Sequence, residues 1–108
     1  MKLIDALELK RNLNNLQCRD EDSMYNLDSF ADQLKTVMTY IEENKPADVL
    51  SFQGSIMQFS DSKLSLESWL KRRKKSTMHS TFREYKADFL SILNDFIKFG
   101  KAHNLWEN

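Results

Sequence analysis

Met24, Leu27, Ala31, Leu34, Met38 and Ile41 follow one another in alternating steps of three and four residues. Side chains return to one face of an α-helix every 3.6 residues, so this ladder can hide from water only as a helix with one apolar stripe. Phe30 and Val37 flank it and widen the arc to about 140°. A stripe of that width needs cover from other helices of the chain or from a partner.

The same arithmetic extends along the chain. Ala6, Leu9, Leu13 and Leu16, broadened by Leu3 and Leu7, predict a helix over residues 2–17. A charged turn follows, in which Asp22 or Ser23 suits the N-cap of the next helix, over 23–43. That helix should stop at Asn44 and Lys45, because the residue before Pro46 disfavours α geometry. Pro46 in a first turn, Asp48 at the positive end of the helix dipole, and the stripe Val49, Phe52, Ile56, Phe59 predict a third helix over 46–59. Gly54 inside it reads as a close helix crossing or a slight bend.

Residues 60–65 carry no apolar period and read as a break before a fourth helix over 63–75, with Leu66, Trp69 and Leu70. A fifth, over 81–99, opens on Thr81 and Glu84, spaced as a capping box. Its stripe of Phe82, Tyr85, Phe89, Ile92, Phe96 and Phe99, broadened by Leu90, Leu93 and Ile97, covers about half the circumference. Gly100 suits the C′ position, and a tail over 100–108 places Leu105 and Trp106 to fold back or dock elsewhere. With only 2 Gly and 1 Pro, sheets and long loops lack their usual punctuation. The expected fold is all-α: one domain over 1–108, a compact bundle of four to five short antiparallel helices.

Several chemistries find no footing. There is no glycine-rich phosphate loop, no GxSxG, no HExxH and no CxxC. His79 and His103 stand 24 residues apart with no ligand spacing between them, and Cys18 alone reads as a small packed thiol. Neighbouring carboxylates such as Glu42 and Glu43 point in different directions and read as solvated charge. A non-catalytic protein with no cofactor, no metal and no small-molecule substrate is expected. Helix-turn-helix, zinc-finger and RNP-type patterns are absent as well; Leu50 and Gly54 fit a helix-turn-helix poorly. A lone cysteine suits a reducing compartment, and charges among the first ten residues argue against a signal peptide. Asn94 and Asp95 interrupt the most apolar stretch, so no membrane span is expected. Intracellular residence, cytoplasmic above all, follows. Abundant Asn, Lys, Ile and Phe point to an AT-rich genome, as in bacteria, phages or viruses.

The net charge of zero hides an asymmetry. Residues 1–68 carry a balance of −5 and residues 69–108 one of +5. Five cations run in a row from Lys71 to Lys75. Basic residues in a last turn suit a helix C-terminus, and they also offer a site to an acidic protein or to phosphates. On a helical wheel Arg73 alone points inward, so the helix should end before it or Arg73 should lie along apolar surface. Hydroxyls crowd this region, and Ser76 and Thr77 behind the cations would suit a basophilic kinase. The favoured reading is a helical protein-interaction module, an assembly subunit, adaptor or inhibitor, self-associating through Tyr40, Trp69, Tyr85, Leu105 and Trp106. The alternative is a nucleic-acid-binding accessory protein that uses Lys71, Arg72, Lys74, Lys75 and Arg83.

Overall fold

The computed structural model describes residues 1–46 and 51–107. It contains α1 (Leu3–Asn15), α2 (Glu21–Asn44), α3 (Ser51–Arg72) and α4 (Met78–Ala102), with a 3-10 turn at Lys75–Thr77 leading into α4. Among the described residues there is no strand, only a single bridge between Lys2 and Glu107. The all-α bundle expected from the stripes is the observed fold.

Bonds between helices fix its direction and register. Ser55 donates to Asp95 at 3.4 Å and Ser62 to Asp88 at 3.5 Å, so α3 and α4 run antiparallel. Phe52 meets Phe96 with ring centroids 5.2 Å apart and Phe59 meets Phe89 at 6.2 Å, in the same register. Lys63 reaches Asp28 and Asp32 on α2. The Lys86 ammonium donates to the carbonyls of Asn14 at 2.7 Å and Leu16 at 2.8 Å, capping the C-terminal end of α1 from α4. α2 and α4 form the central pair, with α1 and α3 on its two flanks, in a body of 43 × 25 × 16 Å.

The core is built from the predicted stripes. Met24, Leu27, Ala31, Leu34 and Ile41 of α2 are buried, as are Phe89, Ile92, Leu93 and Phe96 of α4. α1 contributes Ala6, Leu9 and Leu13, and α3 contributes Phe52, Phe59, Leu66 and Trp69. The broad arc of α4 is covered because that helix packs on all three others.

Local expectations are corrected at five places. Residues 46–59 and 63–75 do not form two helices; α3 runs unbroken through 60–65. Its stripe steps from Phe59 to Leu66, and Ser62, buried like its neighbours, holds the core position between them. A polar residue in a core position hides the period without breaking the helix.

The capping box at Thr81 and Glu84 is not used, since α4 starts at Met78 with Thr77 as its N-cap. Instead α2 carries one. Asp20 is its N-cap: the Ser23 N–H donates to the Asp20 carboxylate, and the Asp20 N–H donates to the Ser23 hydroxyl, each at 3.3 Å.

Gly54 is exposed and marks no close crossing among the described residues. Gly100 lies within α4 and not beyond its end. The left-handed residue that closes α4 is Asn104, with φ 55°. Leu105 N–H returns to Gly100 O at 2.9 Å and Asn104 N–H to Lys101 O at 3.3 Å, a Schellman motif.

α2 ends one residue later than expected, at Asn44, with Lys45 extended before Pro46. The expectations placed on Asp48, Val49 and Leu50 fall outside the described residues.

Candidate functional site

The five consecutive cations sit where α3 turns into α4. α3 ends at Arg72, and Arg73 is left-handed, φ 51°, with its N–H on Trp69 O at 2.7 Å. That is the αL form of helix termination, adopted here by a residue with a Cβ. The helix therefore ends before Arg73, whose guanidinium lies 5.7 Å from the centre of the Tyr25 ring on α2.

The turn is braced from inside. The Trp69 indole N–H donates to Thr77 Oγ1 at 3.1 Å, and that hydroxyl donates to Lys74 O at 2.9 Å. Trp69, expected at an interface, is buried and works as this brace.

Once the chain turns, its cations diverge. Lys71 is exposed at the end of α3. Arg72 and Lys74 line a groove with Ser65, Ser68, Thr77 and Tyr85. Lys75 leans to the opposite side, 3.7 Å from Glu21, in a groove shared with Asp20, Asp22 and Met78. Its side chain is 79% exposed, which makes the pair a weak one. Arg83 faces α1, beside Cys18, His79 and Lys86. Of the five predicted contact residues, the fold brings Arg72 and Lys74 into one groove and Lys75 and Arg83 into two others, while Lys71 lines none of these three. Among the described residues, Lys71, Arg72 and Lys74 have no carboxylate within ion-pairing distance, and all three are exposed.

Three of the predicted interface residues meet at the far end of the bundle. The Tyr40 hydroxyl donates to the Leu105 carbonyl, and the Tyr40 and Trp106 rings stack with centroids 5.8 Å apart and planes 21° apart. The Trp106 indole N–H donates to Ile97 O at 3.3 Å. The ring lies so close to Gly100 that a Cβ there would fall 2.5 Å from Trp106 Cε2. Tyr40, Leu105 and Trp106 thus fasten the tail to the bundle. Tyr85, half-buried, lies instead in the groove of Arg72 and Lys74.

Cys18 is half-buried at the α1–α2 turn, where burial and then the neighbouring Asp20 push its thiol above the usual cysteine range. At neutral pH it stays protonated, unsuited to attack as a thiolate. Among the described residues no three His, Cys, Asp or Glu side chains converge as metal ligands, and no helix is long and apolar enough to cross a membrane.

The crowded hydroxyls read from the sequence as caps and turns, whereas Ser65 and Ser68 line the groove of Arg72 and Lys74. Their signal was spacing: Ser65, Ser68, Trp69 and Arg72 fall at i, i+3, i+4 and i+7, one face of a helix.

Comparison with protein-family models, with curated proteins and with solved structures finds no match.

Proposed function

We propose that this chain is a non-catalytic docking module whose contact surface is the α3–α4 corner, and that its partner is an acidic protein surface. The observation that carries this reading is that Lys71, Arg72 and Lys74, neighbours in sequence at one turn, are each exposed and unpaired among the described residues. Lys63 and Lys86, by contrast, have internal work: Lys63 holds α2 to α3 and Lys86 caps α1. Unpaired positive charge on a braced turn attracts and orients an acidic partner.

Two features favour protein over nucleic acid. Asp20, Glu21 and Asp22 share the groove of Lys75 and would repel a phosphate backbone running across the corner. Three neutralised phosphates give a salt slope of only about −3. A partner protein of mixed charge suits both the cations and the carboxylates beside them. Tyr40, Leu105 and Trp106 already hold the tail to the bundle, so the reading favours the cationic corner and a different chain as partner.

Titration of the folded protein with a Glu-rich peptide and, separately, with a short DNA duplex at low salt tests this. The expected result is peptide binding that moves the backbone amide signals of residues 71–75 and fades with salt, with the duplex weaker. Tighter binding of the duplex would turn the assignment to nucleic acid, and peptide shifts confined to other surfaces would remove the corner as the site.

A further inference from the structure

Resting on that docking reading, we infer that the groove between the end of α3 and α4 is a seat for a phosphoryl group carried on a side chain of the partner. Six residues matter: Ser65, Ser68, Arg72, Lys74, Thr77 and Tyr85. Two are cations, four bear hydroxyls and none is acidic. The groove around Lys75, on the other side of the same turn, has Asp20, Glu21 and Asp22 in its lining, so the corner is segregated by charge.

The donors are ready for use. Among the described residues the hydroxyls of Ser65, Ser68 and Tyr85 donate to no protein group, and Arg72 and Lys74 pair with no carboxylate. The Thr77 hydroxyl is occupied, and its bonds to Trp69 and Lys74 O hold the loop carrying Lys74 against α3. One rigid helix supplies Ser65, Ser68 and Arg72 at i, i+3 and i+7, so their relative positions are set before any ligand arrives.

The number and kind of donors select the ligand. A carboxylate brings one charge and two acceptor oxygens. A phosphomonoester brings nearly two charges at neutral pH and three strong acceptor oxygens. A guanidinium fork, an ammonium and three free hydroxyls exceed what a carboxylate can use and match the phosphoryl group. The groove lies open at the surface, which suits a group projecting from another chain, such as phosphoserine within an acidic segment.

The two tryptophans provide the test. Trp69 bounds the groove, and Trp106 lies at the opposite end of the bundle, so their indole N–H signals report on the site and on a control in one spectrum. The protein is titrated with an acidic phosphoserine peptide, its unphosphorylated twin and inorganic phosphate. The expected result is that the phosphopeptide moves the Trp69 indole signal, leaves that of Trp106 in place, and binds about tenfold tighter than its twin. Arg72→Gln should abolish that tenfold preference, and Tyr85→Phe should reduce it a few-fold, each with an unchanged melting temperature. The preference should fade as the pH falls below about 6, where the phosphate loses its second charge.

Equal binding of the two peptides at the corner overturns the phosphoryl seat and leaves acidic docking standing. Phosphopeptide binding that leaves Trp69 unmoved overturns the location. Inorganic phosphate binding as tightly as the phosphopeptide overturns the peptide-borne source. Failure of all three probes to bind removes the seat and the docking reading together.

Discussion

The two glycines occupy helices for opposite reasons. Gly54 lies exposed on α3 with no described atom within 4 Å of where a Cβ would stand. Nothing there offsets the conformational freedom that glycine loses in a helix, so Gly54→Ala should stabilise the protein by about 1 kcal/mol. Thermal unfolding followed by circular dichroism should show a rise of about 4 °C. Gly100→Ala gains the same propensity but drives a methyl group into the Trp106 ring. Overpacking costs about 1–3 kcal/mol, so the tail should swing out. In a Trp69→Phe background, Trp106 emission should shift to the red. Glycine near a helix end suggested C′ to a reading by type alone, yet that place belongs to Asn104, whose side chain tolerates left-handed geometry. No local pattern separates a glycine that ends a helix from one on which an indole rests. The distinction lies in where residue 106 returns.

Among the helices, α1, α2 and α4 were legible because their stripes are continuous. α3 was split because two of its inward-facing residues, Ser62 and Lys63, are polar. Their partners lie on other helices: Asp88 for Ser62, and Asp28 and Asp32 for Lys63, the second at 3.0 Å, with Glu67 of α3 itself at 3.8 Å. Pairings across 26 or 35 residues of sequence have no local signature. Burial disfavours the charge on Lys63, but the hydrogen bonds and charges of Asp28 and Asp32 outweigh it and lift its pKa above the lysine range. Lys63→Met removes a charge-assisted link between α2 and α3 and should destabilise the protein by about 2 kcal/mol at neutral pH. A folded pKa above the unfolded one gives stability that is full below the ordinary lysine value, about 10.4, and that is lost as the pH rises through the folded value. The stability difference between wild type and Lys63→Met should therefore shrink above about pH 10.4, as denaturant unfolding at a series of pH values would register.

In the assembled molecule, the surplus of apolar face read from the sequence is largely absorbed. α2 and α4 share the middle, α1 and α3 cover their flanks, and the aromatic tail closes one end. The large apolar side chains left exposed lie on three helices: Ile4 and Leu7 on α1, Met57 and Leu64 on α3, and Tyr25 of α2 beneath Arg73. The basic run was legible from the sequence, whereas its division was not, because the left-handed Arg73 redirects the chain and sends Lys75 and Arg83 to other faces. What remains at the turn is the exposed Lys71, Arg72 and Lys74, which form no ion pair among the described residues. The decisive measurement is made on one variant, Lys71→Glu, Arg72→Glu, Lys74→Glu, by recording its affinity for a phosphorylated acidic peptide and its melting temperature side by side. Free docking charges predict an affinity lowered by more than about tenfold with a melting temperature within about 2 °C of wild type. Unchanged affinity, or a fold that collapses with the three charges, would contradict it.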